Sequence, residues 1–145
     1  MPVEIEILRE ASDEIVDAFA LLLPQLSASA KPLDHATLTR LAAADTITVL
    51  LARAQGRIAG TLTLVIIPLP TGARARIEDV VVDEAARGQG VAAALTTRAV
   101  ELARTAGART VDLTSRPSRE AANRLYERLG FQRRDSTLYR YALAD

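Results

Sequence analysis

Between Ile77 and Ala94 the chain reads IEDVVVDEAARGQGVAAA. An apolar run, Ile77 to Val82, predicts a strand. It leads into a short charged turn, Asp83 to Arg87, and two glycines, Gly88 and Gly90, then open a long alanine-rich helical pattern. Glycine lets the backbone bend tightly there and lets a ligand approach it. The first N–H groups of the helix have no partner in the chain and point outward, where a negative group is favoured. Strand, anion-binding turn and helix must therefore be contiguous, and the rest of the fold has to be arranged around them.

The flanking segments say what kind of sheet receives this unit. Val3 to Leu8 mixes apolar and charged residues as a first strand would. Ser12 caps a helix with Asp13 and Glu14 in its first turn, and Ile15, Val16, Phe19, Leu22 and Leu23 follow at helical spacing up to Pro24. A second cap at Asp34 starts another helix, with Leu38, Leu41 and Ala42 on one face; the two helices and their loop are candidates for a lid. Ile47 to Arg53 and Ile58 to Ile66 predict a hairpin across Ala54-Gln55-Gly56-Arg57. Pro68, Pro70 and Thr71-Gly72 break the chain before the strand that ends at Val82. Beyond the glycines, Val91, Leu95, Ala99, Leu102 and Ala106 keep helical spacing until Gly107. Thr110 to Thr114 is a short strand, reached by a parallel crossover. Ser118 caps a last helix carrying Ala122, Leu125, Tyr126 and Leu129, and Phe131 to Leu143 predicts a final pair of strands. The fold class is α+β in one domain, 1–145: a three-layer arrangement of a mixed, mostly antiparallel sheet with helices on both faces.

That arrangement decides between glycine motifs. Gly88 to Ala93 also fits G-x-G-x-x-G/A, and Asp112 lies where the ribose acid of a dinucleotide fold belongs. Such a fold starts at the glycine strand and adds further crossovers, whereas here a hairpin precedes it. No Gly-Lys-Ser/Thr follows the glycines, so a Walker phosphate loop is absent. Formal net charge is zero, which disfavours a nucleic-acid partner. With no Cys and His35 the one histidine, thiolate chemistry and Cys or His metal sites fall away, and no metal is expected. Seventeen of the eighteen basic residues are Arg, with Lys31 the exception; beside so many alanines this reads as coding bias rather than a phosphate-binding patch. The acidic N-terminus lacks the pattern of a signal peptide, and no apolar run approaches the roughly 20 residues that span a bilayer. Cytoplasm is the expected compartment, without a membrane partner.

Val80-Val81-Val82-Asp83 followed by Arg87-Gly88-Gln89-Gly90-Val91-Ala92 resembles the acetyl-CoA motif of the GNAT N-acetyltransferase superfamily, whose Arg/Gln, Gly and Gly/Ala positions are here Arg87, Gly90 and Ala92. Ala122 to Phe131, ANRLYERLGF, resembles a second motif of that family at the family's distance. The resemblance is strong over Ile77 to Phe131. It implies acetyl-CoA as cosubstrate, with its pyrophosphate on the N–H groups of Arg87, Gly88, Gln89, Gly90, Val91 and Ala92. It implies a pantetheine arm paired with the backbone of Val80 and Val82, beside a bulge that splays this strand from the next and opens the cofactor slot at the crossover. An N–H near Val82 would polarise the acetyl carbonyl.

The same resemblance places Tyr126 at the general-acid position, against the alternative of a core tyrosine between Leu125 and Leu129. Asn123, one turn earlier, would bond either the pantetheine arm or the backbone. The chain departs from many family members at Arg119, where they carry Asn. Glu78 is the candidate base; Glu78-Asp79 resembles the Ile-Glu-Asp run of glucosamine-phosphate acetyltransferases. In an extended strand these two acids face opposite ways unless a bulge intervenes, and both could be edge acids. His35 reads as a solvated surface residue. The implied reaction is direct acetyl transfer to a primary amine. Thr114 stands where protein N-terminal acetyltransferases often carry Glu, which favours a small amine over a peptide. A non-catalytic acyl-CoA-binding or sensor domain is the competing class, and a homodimer is left open.

Overall fold

In the computed structural model, which describes residues 2–144, two of the three helix caps read from the sequence, Ser12 and Asp34, are formed. Ser12 Oγ accepts the Ile15 N–H at 3.2 Å at the head of α1 (Asp13–Leu26), and Asp34 Oδ1 accepts the Thr37 N–H at 2.8 Å at the head of α2 (His35–Ala43). Those bonds hold the Asp34 carboxyl below its ordinary range. Each cap satisfies an N–H that the first helical turn cannot, which is why the boundaries fall there. The end of α1 departs from expectation. Pro24 lies inside the helix, which continues to Leu26. Proline leaves the Ala20 carbonyl without its N–H donor, and only two residues of the helix follow it.

The chain forms two compact units, Met1–Thr114 and Ser115–Asp145. In the first, one sheet takes the order β1-β2-β3-β4-β5, from β1 (Val3–Ile7), β2 (Ile47–Ala54), β3 (Arg57–Ile67), β4 (Arg74–Val82) and β5 (Val111–Asp112). Every pair is antiparallel except β4–β5, which is parallel and reached through α3 (Val91–Thr105). The mixed sheet, the hairpin and the crossover agree with the sequence reading.

Helices cover both faces. On one, α1 and α2 bring Phe19, Leu22 and Leu38 against Leu8, Val49, Leu51, Ile58 and Val81. On the other lies α3, close enough that a Cβ on Gly60 of β3 would meet Val91 at 2.8 Å. Leu22 and Leu38 have no exposed surface. Swinging α1 and α2 away as a lid would expose such side chains at about 1.5–3 kcal/mol each, so these helices are framework. Only their connection, Ser27 to Pro32, is exposed throughout. Arg53 adds a polar tie, bonding Glu6 of β1 and Glu14 of α1; its hydrogen bonds hold Glu14 below the ordinary carboxylate range and raise Arg53 itself.

The second unit contains α4 (Glu120–Arg128). Its N-cap is Arg119, without a side-chain bond, so the cap expected at Ser118 is not used. The final strands expected over Phe131 to Leu143 are also absent: residues 131–144 carry no regular secondary structure. A strand exists only through a ladder partner. Leu138, Tyr139, Tyr141 and Leu143 are instead exposed.

Candidate active site

The distinctive feature of β4 is one extra residue. Thr61 faces Val81 and Thr63 faces Glu78, so two residues, Asp79 and Val80, stand opposite the single Leu62. This is a β-bulge, and Asp79 takes the left-handed conformation, φ 51°, that makes room for it. Asp tolerates that region better than most residues because its short side chain bonds locally. The bulge reverses the facing of everything after it. Ile77 pairs with Leu64 on the α3 face, while Val81, four residues on, belongs to the α1–α2 cluster. Glu78 and Val81 therefore share the α1–α2 face, a placement that strict alternation would forbid. Glu78 is half-exposed and accepts from Arg76 Nη2 at 3.3 Å; Asp79 is exposed.

The bulge also accompanies a parting of strands. β4 and β5 pair only at Ala75–Val111 and Arg76–Asp112. Past Arg76 the outer edge of β4 has no strand partner among the described residues of its unit. The Asp83 N–H turns inward to the Ala59 carbonyl at 2.8 Å. By alternation, the backbone groups of Val82 turn away from β3, while Val80 is one of the two bulge residues.

From Val82 the chain passes through a single 3₁₀ turn, Glu84–Ala86, to the glycines. Gly90 is the N-cap of α3 in the left-handed conformation and supplies no side-chain cap. The first bond of the helix is Ala94 N–H to Gly90 C=O. The N–H groups of Gly88, Gln89, Gly90, Val91, Ala92 and Ala93 find no acceptor among the described residues. A Cβ on Gly88 or Gly90 would meet nothing within 4 Å, so the space over the turn is open. Donors without acceptors, at the positive end of a 15-residue helix, form a receptor for an anion. Arg87 beside them is exposed, 4.0 Å from Glu84.

Sequence reading missed what holds this turn. Asp83 is buried and receives Arg57 Nη1 at 2.8 Å, Gln25 Nε2 at 3.3 Å and the Ala85 N–H at 3.3 Å. Gln25 Oε1 in turn accepts the Glu84 N–H at 3.0 Å. Arg57 chiefly, with the other two donors, holds the Asp83 carboxyl below its ordinary range against the opposing effect of burial. Arg57 and Gln25 come from the β2–β3 hairpin and the end of α1, and no local spacing announces such a meeting.

In the second unit, Tyr126 is half-buried and stacks edge-on with Phe131 at 5.9 Å between ring centres. Burial pushes its hydroxyl above the ordinary value, and Arg119 opposes that. Asn123 Nδ2 donates to the Arg116 carbonyl at 3.1 Å. His35 bonds exposed Asp13 at 2.8 Å, on the surface of the first unit. Among the described residues no group of acids and histidines could hold a metal ion, and no helix is long and apolar enough to cross a membrane.

A family model described as "Acetyltransferase (GNAT) family" matches residues 14–131. Comparison with curated proteins finds no match. Among solved structures, an acetyltransferase of Trypanosoma brucei superposes with a TM-score of 0.79 at 29% identity, over 97% of this chain and 100% of that one. Glucosamine-6-phosphate N-acetyltransferase from Arabidopsis thaliana gives 0.79 at 22%, over 97% and 99%. AAC(6')-Iy, in complex with the bisubstrate analogue CoA-S-monomethyl-acetylneamine, gives 0.80 at 17%, over 99% and 100%. At such identities the last two are likenesses of fold.

Proposed function

The chain belongs to the GNAT acetyltransferase family, and from that premise we propose that it moves an acetyl group from acetyl-CoA directly to a primary amine of a small molecule. The whole chain, 1–145, is read as one N-acetyltransferase domain. The observation that carries the proposal is the run of unpartnered N–H groups from Gly88 to Ala93, continuous with the open edge of β4. The pyrophosphate of the donor lies on the turn. Its pantetheine arm pairs with the backbone of Val80 and Val82, and the Val82 N–H polarises the acetyl carbonyl.

The amine nitrogen attacks that carbonyl, the new C–N bond forms, and the C–S bond breaks with the electron pair leaving on sulfur. Glu78, which lies on the α1–α2 face just before the bulge, takes the proton the amine loses, directly or through water. Tyr126 supplies a proton to the departing thiolate. Support for that role is its place in the second family motif. Thr114, where protein N-terminal acetyltransferases often carry Glu, favours a small amine over a peptide as acceptor.

A screen of small amines and peptides with acetyl-CoA, reading released thiol, tests the activity; CoA binding without turnover of any amine would leave only a binding domain. On an accepted amine, Tyr126→Phe should lower kcat about 100-fold, the low end of general-acid effects because thiolate leaves readily. A wild-type rate with chemistry limiting would return Tyr126 to a packing role. Glu78→Gln should lower turnover at moderate pH and recover partly in alkaline buffer, where more amine is neutral. A pH–rate profile that superimposes on the wild type would remove Glu78 from the mechanism.

A further inference from the structure

We propose that Asp83 is a positioning residue for the acyl donor: with Arg57 and Gln25 it fixes the start of the glycine turn, so that the N–H groups beyond it converge on a phosphate-bearing donor. The inference rests on the reading of that turn as the pyrophosphate site. Burying a carboxylate is costly unless it is fully bonded, and Asp83, whose side chain is 10% exposed, has an unusually complete set of donors. Two of them arrive from elements remote in sequence, Arg57 by 26 residues and Gln25 by 58.

Gln25 makes the arrangement specific to the turn. Its amide nitrogen donates to Asp83 while its amide oxygen accepts the N–H of the next residue, Glu84. A Glu at position 25 would repel Asp83, and an apolar residue would leave the Glu84 N–H without that acceptor. Between this clamp and α3, the backbone hydrogen bonds among the described residues are Ala86 N–H to the Asp83 carbonyl at 2.8 Å and Arg87 N–H to the Glu84 carbonyl at 3.3 Å. No side chain caps Gly90. The directions of the receptor N–H groups are therefore set by α3 at one end and Asp83 at the other. Releasing Asp83 would keep those donors but let them diverge, and a receptor that must reorganise on binding loses affinity. The same clamp joins the turn to the last residues of α1, just before the exposed connection Ser27 to Pro32.

A positioning role differs from a merely structural one in which donor it affects. Acetyl-CoA carries the pyrophosphate; S-acetylpantetheine carries the same thioester and arm without it. With an amine accepted in the screen, kcat/KM for both donors would be measured in the wild type, Asp83→Asn and Gln25→Met, alongside thermal unfolding. In both variants we expect kcat/KM for acetyl-CoA to fall about tenfold, the scale of one charge-assisted hydrogen bond, with S-acetylpantetheine unaffected. Equal losses on the two donors, or a lower unfolding midpoint with both rates intact, would overturn the positioning role. A wild type that does not prefer acetyl-CoA would instead overturn the pyrophosphate reading of the turn itself. Should Asp83→Asn not fold, Gln25→Met, at a half-buried helix position, carries the same test with the same outcomes.

Discussion

Two turns in this molecule look alike and do different things. At the tip of the β2–β3 hairpin, Gln55 and Gly56 take φ of 55° and 78°; at the head of α3, Gly90 takes φ of 81°. A Cβ on Gly56 or Gly90 would meet nothing within 4 Å. The hairpin turn is closed on either side by the Ala54–Arg57 pair, with ladder bonds continuing behind it. The turn at Gly90 opens into a helix whose first donors have nowhere to go. Glycine answers a conformational need in both places. What differs is how many donors the following backbone leaves unsatisfied.

That contrast can be broken experimentally. Gly90→Ala puts a methyl group into the space above the turn and strains its backbone. It should weaken CoA binding at least tenfold, about 1.4 kcal/mol or more, measured by titration calorimetry; unchanged affinity in a folded variant would move the phosphate site elsewhere. Gly56→Ala carries the same left-handed strain, about 1–2 kcal/mol before the offset from a stiffer unfolded chain. It should lower stability in urea by about 1 kcal/mol and leave CoA affinity alone. If both variants lose CoA binding equally, the two turns are not functionally distinct.

The smallest effect concerns the link between the turns, because Arg57 follows Gly56 and Asp83 precedes the glycine turn. The folded state holds the Asp83 carboxyl below its ordinary range. As pH falls, the unfolded chain takes up that proton first, near pH 3.9. Stability from the Asp83–Arg57 bond is thus present above that pH and lost as pH falls through the folded-state value. Asp83→Asn should flatten the acid limb of a stability–pH curve while lowering stability at neutral pH. An acid limb identical to the wild type would mean that other carboxylates, such as Asp34 or the exposed Glu14, account for it.

Local chemistry made much of this legible. Ser12 and Asp34 announce themselves because caps act within three residues, and Gln55-Gly56 between β-rich runs specifies its own turn. Gly88 to Ala92 were readable for the same reason. The bulge was expected only through family resemblance; nothing in Glu78-Asp79-Val80 alone separates a bulged strand from a regular one. Asp83 looked like one more turn acid, since the residues that give it meaning lie 26 and 58 positions away. Phe131 to Leu143 misled in the opposite sense. Its Tyr and Leu residues have strand propensity, but propensity acts through neighbours, and residues 131–144 form no ladder.

The parting of β4 from β5 has a second side, which concerns solubility. A strand edge with free N–H and C=O groups is a template for any other extended chain, including another copy of itself. Proteins usually cover such an edge, yet a slot that must admit a ligand cannot be covered for good. Here the exposed stretch carries the two features known to blunt an edge: a bulge that twists the strand out of register with a would-be partner, and adjacent charges at Glu78 and Asp79. The irregularity in β4 therefore also guards this edge against pairing with another chain, and replacing Asp79 with a β-branched residue to straighten the strand would remove that guard.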